Sequence, residues 1–113
     1  MNFRSTVLAA TGIVLATPCP LDGSIINITM HFPLGCLALV LVAFGNGGRQ
    51  ICPETGFIAL DDATPVYPTS EPVNGGDRLW VEIRNTDGFF PHTVSVNVTV
   101  VGTIGFIPEE AKE

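Results

Sequence analysis

Charge is scarce in this sequence. Only 14% of its 113 residues are Asp, Glu, Lys or Arg, against about 25% in an ordinary soluble domain, and the mean hydropathy is positive at +0.41. Positive charge is scarcest: five Lys and Arg against eleven Asp and Glu leave a net charge of −6. No basic cluster could neutralise phosphates and release counterions, so nucleic acid is not an expected partner. An anionic membrane surface, which needs a polybasic stretch, is disfavoured for the same reason. Long hydrophobic runs are also missing. The apolar stretch from Val7 to Ala16 contains Gly12 and is followed by Pro18 and Pro20, and it reaches half of the roughly 20 residues a membrane-spanning helix needs. No transmembrane segment is expected. No segment carries a sustained 3.6-residue apolar period with helix caps.

Catalytic and metal-binding motifs are absent too. There is no Gly-x-Ser-x-Gly elbow, no His-Glu-x-x-His and no glycine loop opening a helix, and two histidines form no constellation by themselves. Cys19, Cys36 and Cys52 are odd in number and lack Cys-x-x-Cys spacing, which argues against zinc and thioredoxin chemistry. A Cys36–Cys52 bridge is disfavoured. With Phe44 opposite Arg49 across a glycine-rich loop, Cys52 would face Leu41 and leave Cys36 beyond the roughly 7 Å that a disulfide spans between Cα atoms. Buried free thiols are the expected state. Loop carboxylates at Asp61-Asp62, and the turns at Asn74 and Asp87, could suit calcium, but turns are acidic in any case. The sequence predicts no enzyme, no cofactor and no metal.

What remains is β-structure. Ile26, Ile28, Met30 and Phe32 alternate with Asn27, Thr29 and His31, the period of two of a strand with one buried face. Leu79, Val81 and Ile83 alternate with Trp80, Glu82 and Arg84, and Val94, Val96, Val98 and Val100 alternate with polar residues in the same way. Gly45-Asn46-Gly47-Gly48 marks a hairpin between Cys36–Phe44 and Arg49–Cys52. Phe57–Leu60 predicts a short strand, and the Pro-rich stretch from Pro65 to Pro72 an edge strand or a traversing loop. Two sequons, Asn27-Ile28-Thr29 and Asn97-Val98-Thr99, fall on outward faces. Short strands separated by Gly, Pro and Asn turns predict an all-β fold: a single β-sandwich, jelly-roll or Ig-like Greek key, of about seven or eight strands. The expected organisation is an extended N-terminal arm over 1–20, a sandwich over 21–107 and a polar tail over 108–113.

Residues Gly76 to Asp87, followed by Pro91-His92-Thr93-Val94, resemble the strand, Asn-x-Asp turn and His-bearing strand of cupredoxins. The resemblance implies a sandwich. In that family the histidine is a copper ligand, so His92 alone is carried over. The Cys, second His and Met that complete such a site have no counterpart after His92.

The run from Leu37 to Phe44 is apolar on both faces of any strand it forms. One face can fill a core; leaving the other in water would forgo about 1.5 to 3 kcal/mol per large side chain. The interface is therefore expected at Val7, Leu8, Ile13, Val14 and Leu15 of the arm, at Leu39 and Leu41, and at Trp80, a large aromatic among surface positions. The general plan resembles small capsid decoration or cement proteins of virions. That resemblance implies a non-enzymatic, homo-oligomeric structural subunit, located in a virion and partnered by other protein subunits, with its N-terminal segment adding a strand to a neighbour. The alternative is a secreted or cell-surface binding module, extracellular, in which residues 1–16 act as a signal peptide: Arg4 precedes the apolar run, and Val14-x-Ala16 resembles a cleavage site.

Overall fold

The structure, a computed structural model, describes residues 1–102. The polar tail expected over 108–113, and the last residues of the expected sandwich, lie outside the described residues. The chain is all-β, with strands β1 (Asn2–Val7), β2 (Gly12–Pro18), β3 (Gly23–His31), β4 (Val40–Asn46), β5 (Arg49–Cys52), β6 (Val66–Val73), β7 (Arg78–Asn85) and β8 (His92–Gly102). They form two four-stranded antiparallel sheets, ordered β1-β8-β3-β6 and β2-β7-β4-β5. Successive strands change sheet at every connection except the β4–β5 hairpin.

The period of two explains the core. Val94, Val96 and Val98 of β8 and Leu79, Val81 and Ile83 of β7 are fully buried between the sheets, as their alternation predicts. β3 contributes Ile28 and Met30, and Phe32 just after it is buried too, but Ile26 points out. A bulge between Ile25 and Asn27 shifts the register there, so Ile25 takes the inward place instead.

Residues 1–20 are extended but do not form an arm lying outside the sandwich. β1 pairs with β8 in one sheet and β2 with β7 in the other. Phe3 and Val7 join the core, and the Phe3 ring meets Phe44 of the opposite sheet edge-on, centroids 6.4 Å apart. The buried Asn85 side chain ties the sheets together at this point, donating from Nδ2 to the Val7 carbonyl at 3.0 Å and the Phe90 carbonyl at 2.9 Å.

The apolar run expected as one strand from Leu37 starts pairing only at Val40. Leu37 and Ala38 lie in the left-handed region, at φ 51° and 58°, and the Asp61 carboxylate accepts the N–H groups of Gly35 and Leu37 at 2.9 and 3.0 Å. The hairpin is tighter than predicted: Asn46, not Phe44, lies opposite Arg49, the turn is Gly47-Gly48, and an irregularity brings Phe44 opposite Cys52. Phe57–Leu60 forms no strand; it contributes one isolated bridge, Val42 to Ile58. The Pro-rich stretch is an edge strand, β6, where Pro68 and Pro72 are tolerated because one side of the strand makes no ladder.

Candidate functional site

The lateral edges of the sandwich differ. On one side lie β5, of four residues, and β6, with two prolines. The Arg49–Glu71 ion pair clasps them across the sheets. On the other side lie β1 and β2. Nearly all of β2 is exposed: only Leu15 is half-buried, with Ile13 at 36% and Val14 at 50% exposure. An open depression of about 560 Å³ runs beside Ala10–Val14 and is bordered by Glu82 and Arg84 of β7. Those charges neutralise each other, Arg84 Nε lying 2.7 Å from Glu82 Oε2.

The expected interface residues divide accordingly. Leu8, Ile13 and Val14 are exposed, and Leu15 is half-buried among them. Val7 belongs to the core and is not accessible. Leu39 is half-buried in the loop before β4, where its carbonyl accepts the N–H and Oγ1–H of Thr86 at 2.9 and 2.6 Å. Leu41 faces outward beside Arg84, whose guanidinium sits 4.8 Å from the centroid of the Phe57 ring. Gln50 Nε2 holds this covering loop through the carbonyls of Pro53 and Gly56. Ala43, on the same face as Leu41, is also buried, and Phe57 of this loop lies on that side of the sheet over Arg84. Trp80 is likewise satisfied internally. Its Nε1–H donates to the Gly47 carbonyl at 2.8 Å, and its ring lies against Gly45, where any Cβ would overlap it. It braces the hairpin.

A second apolar surface lies at the end of the sandwich formed by the β1–β2, β3–β4 and β7–β8 loops. It exposes Leu8, Leu34, Leu37, Phe89 (86%) and Phe90 (65%). These loops are bound to one another: Ala10 N–H donates to the Asp87 carbonyl at 3.0 Å, and Thr86 binds Leu39 as described. The β7–β8 loop is built on Asp87, a buried residue whose Oδ1 accepts the N–H groups of Phe89 and Phe90 at 2.9 and 3.3 Å. Its Oδ2 accepts Nε2–H of His92 at 2.8 Å, and its own N–H donates to Asn85 Oδ1 at 3.0 Å. The His92 hydrogen bond and those backbone donors hold the Asp87 carboxyl below the ordinary carboxylate range. The loop therefore presents two phenyl rings on an ordered turn. Adjacent Phe residues between Gly88 and Pro91, inside a segment that must be a turn, were the sequence signal for this surface.

The remaining chemistry is local. His92, the position shared with cupredoxins, uses Nε2 on Asp87, and His31 Nδ1 lies 2.7 Å from Thr64 Oγ1. Among the described residues no group of three or more His, Cys, Asp or Glu side chains is placed to hold a metal. The Asp77 carboxylate accepts the Asn74 N–H and the Asn46 amide, which lowers its pKa. Cys19, Cys36 and Cys52 are free and buried. The sequons interlock on the outer face of the β1-β8-β3-β6 sheet, with Asn27 opposite Thr99 and Thr29 opposite Asn97. Among the described residues no helix is long and apolar enough to cross a membrane.

Two antiparallel sheets packed over one apolar core define an all-β, sandwich-like protein. No protein-family model matches the chain, and no curated protein matches it. Among solved structures it is similar to one described as the crystal structure of FLHE, at 12% identity and a TM-score of 0.46, over 86% of this chain and 91% of that one.

Proposed function

We propose that this protein is a non-enzymatic structural subunit of a large assembly, a decoration or cement protein of a virion capsid, acting through contacts with other protein subunits. The carrying observation is the loop end of the sandwich, where Leu8, Leu34, Leu37, Phe89 and Phe90 stand in water on hydrogen-bonded loops. Exposed apolar side chains gathered on one surface mark a site that another protein covers, and aromatic residues on a rigid turn make efficient anchors there. Within this proposal the strand order is read as a jelly roll. Support comes from β8 lying between β1 and β3 while β7 lies between β2 and β4. Capsid proteins share that architecture with lectins and cupins, so the architecture alone does not select the function.

The retained N-terminal segment belongs to the same reading. Phe3 and Val7 lie in the core, so loss of residues 1–16 would strip β1 and most of β2 from the sheets.

The test is fractionation of the native source on a density gradient, with a tagged full-length chain carrying either the natural loop or Phe89→Ser with Phe90→Ser. The natural chain is expected to sediment with a large particle and the double variant to remain at the top, with unchanged thermal stability. A natural chain found only in the low-mass fractions overturns the proposal, as does a double variant that still sediments with the particle.

A further inference from the structure

The open edge of β2 has a pairing phase that can be read from its neighbours. Asn85 N–H donates to the Thr11 carbonyl at 2.8 Å, and Cys19 N–H donates to the Asp77 carbonyl at 2.7 Å. In an antiparallel ladder the hydrogen-bonded residues alternate, so Ile13, Leu15 and Thr17 direct their backbone groups to β7. Gly12, Val14 and Ala16 direct theirs away from it. Among the described residues β2 has no strand on that side, and Pro18 ends the series because it has no N–H.

We propose that this edge pairs with itself: two copies of the chain join antiparallel about a two-fold axis at Val14, and the two β2-β7-β4-β5 sheets become continuous. The inference rests on the reading that this chain works through subunit contacts, and it specifies one of them. The register is self-complementary. Val14 meets Val14 of the second copy, and Gly12 meets Ala16 of the second copy, each pair exchanging both N–H···O bonds. One residue out of phase, Ile13 then lies opposite Leu15 of the second copy on the inner face. Two half-exposed apolar side chains thereby close the open flank of both cores.

Charge does not oppose a second copy of the chain at this edge. A molecule of net charge −6 repels its own copy, and pairing is least opposed where the surface is neutral. No charged residue occurs from Ser5 to Leu21, and the neighbouring Glu82 and Arg84 are paired with each other. Such an edge carries nothing to attract a basic partner.

The other edges do not offer this. Met1 and Val98 exchange backbone bonds, so Asn2, Arg4 and Thr6 face the open side of β1, and two-fold pairing there would oppose Arg4 to Arg4. On β6, Pro68 and Pro72 interrupt the donors. β5 is short and ends in the Arg49–Glu71 clasp. An isologous contact of this kind closes at two copies and does not propagate into fibres.

Light scattering of the full chain at micromolar concentration tests the proposal, together with oxidative cross-linking of Val14→Cys. A mass twice that of the chain is expected, falling to the monomer mass in Val14→Lys, with the circular dichroism and melting temperature of the parent. Val14→Cys should form a disulfide-linked dimer under mild oxidation; Ala16→Cys alone should not, whereas a mixture of Gly12→Cys and Ala16→Cys chains should. A monomeric parent chain overturns the inference, as does a dimer that persists in Val14→Lys or cross-links preferentially through Ala16→Cys. Association of a foreign protein with the β2 edge of a monomeric chain also overturns it. These outcomes are independent of Phe89 and Phe90: a dimer that ignores the particle would remove the proposed function and leave the self-pairing edge standing.

Discussion

His92 donates from Nε2 to Oδ2 of Asp87 across 2.8 Å, while Oδ1 of that carboxylate receives the N–H groups of Phe89 and Phe90. One side chain thus closes the loop between β7 and β8 from both ends. The histidine that resembles a cupredoxin copper ligand serves to orient the residue beneath the most exposed phenyl rings among the described residues.

Acid should loosen this loop. Asp87 and Asp77 are both held below the usual carboxylate value of 3.8, Asp87 chiefly by His92 and Asp77 chiefly by the Asn74 N–H. A carboxylate with a depressed folded pKa takes up its proton in the unfolded chain first. Its contribution is therefore complete above about pH 5 and is lost as pH falls from there through the folded value. Thermal melts are expected to hold a steady midpoint from neutral pH down to about 5 and to fall below about 4. Asp87→Asn should melt lower at neutral pH and show a shallower acid slope than the parent.

Phe3→Ala should cost about 3 to 5 kcal/mol in urea unfolding, the usual consequence of removing a buried phenyl ring. Its ring touches Phe44 of the facing sheet, so the loss falls on the core. A change within about 0.5 kcal/mol, normal for surface positions, would show that β1 is dispensable.

Gly45→Ala should destabilise by about 1 to 3 kcal/mol, as overpacking does. The added methyl would overlap the Trp80 ring and lie 2.5 Å from the Arg49 carbonyl oxygen. Because the ring must then leave Gly47, tryptophan fluorescence should shift to longer wavelength. An unshifted spectrum with parent stability would show that Trp80 is not seated on the hairpin.

The three thiols should resist a water-soluble disulfide reagent in the native protein and react together on unfolding. All three are buried. Burial raises the Cys36 and Cys52 pKa values, and nearby Asp61 adds to the effect at Cys36, so little reactive thiolate forms near neutral pH. Rapid native labelling of one equivalent would contradict that placement.

Much of this protein is determined by local sequence. Alternation at Leu79–Ile83 and Val94–Val98 sets which side chains enter the core, because a strand turns successive residues to opposite faces whatever it pairs with. Glycines mark the β4–β5 turn, and prolines confine β6 to an edge. Tertiary structure alone decided the rest. A single extended N-terminal stretch divides between two sheets, a bulge turns Ile26 outward, and the loop after β5 bridges Ile58 to Val42 and sets Phe57 over Arg84. Trp80 seats against a glycine on the neighbouring strand, and loops far apart in the chain place Leu8, Leu37 and Phe89 at one end. The physical reason is that apolar periodicity records only that a face needs covering. What covers it is set by pairings between distant residues, which leave no mark on the spacing of nearby ones.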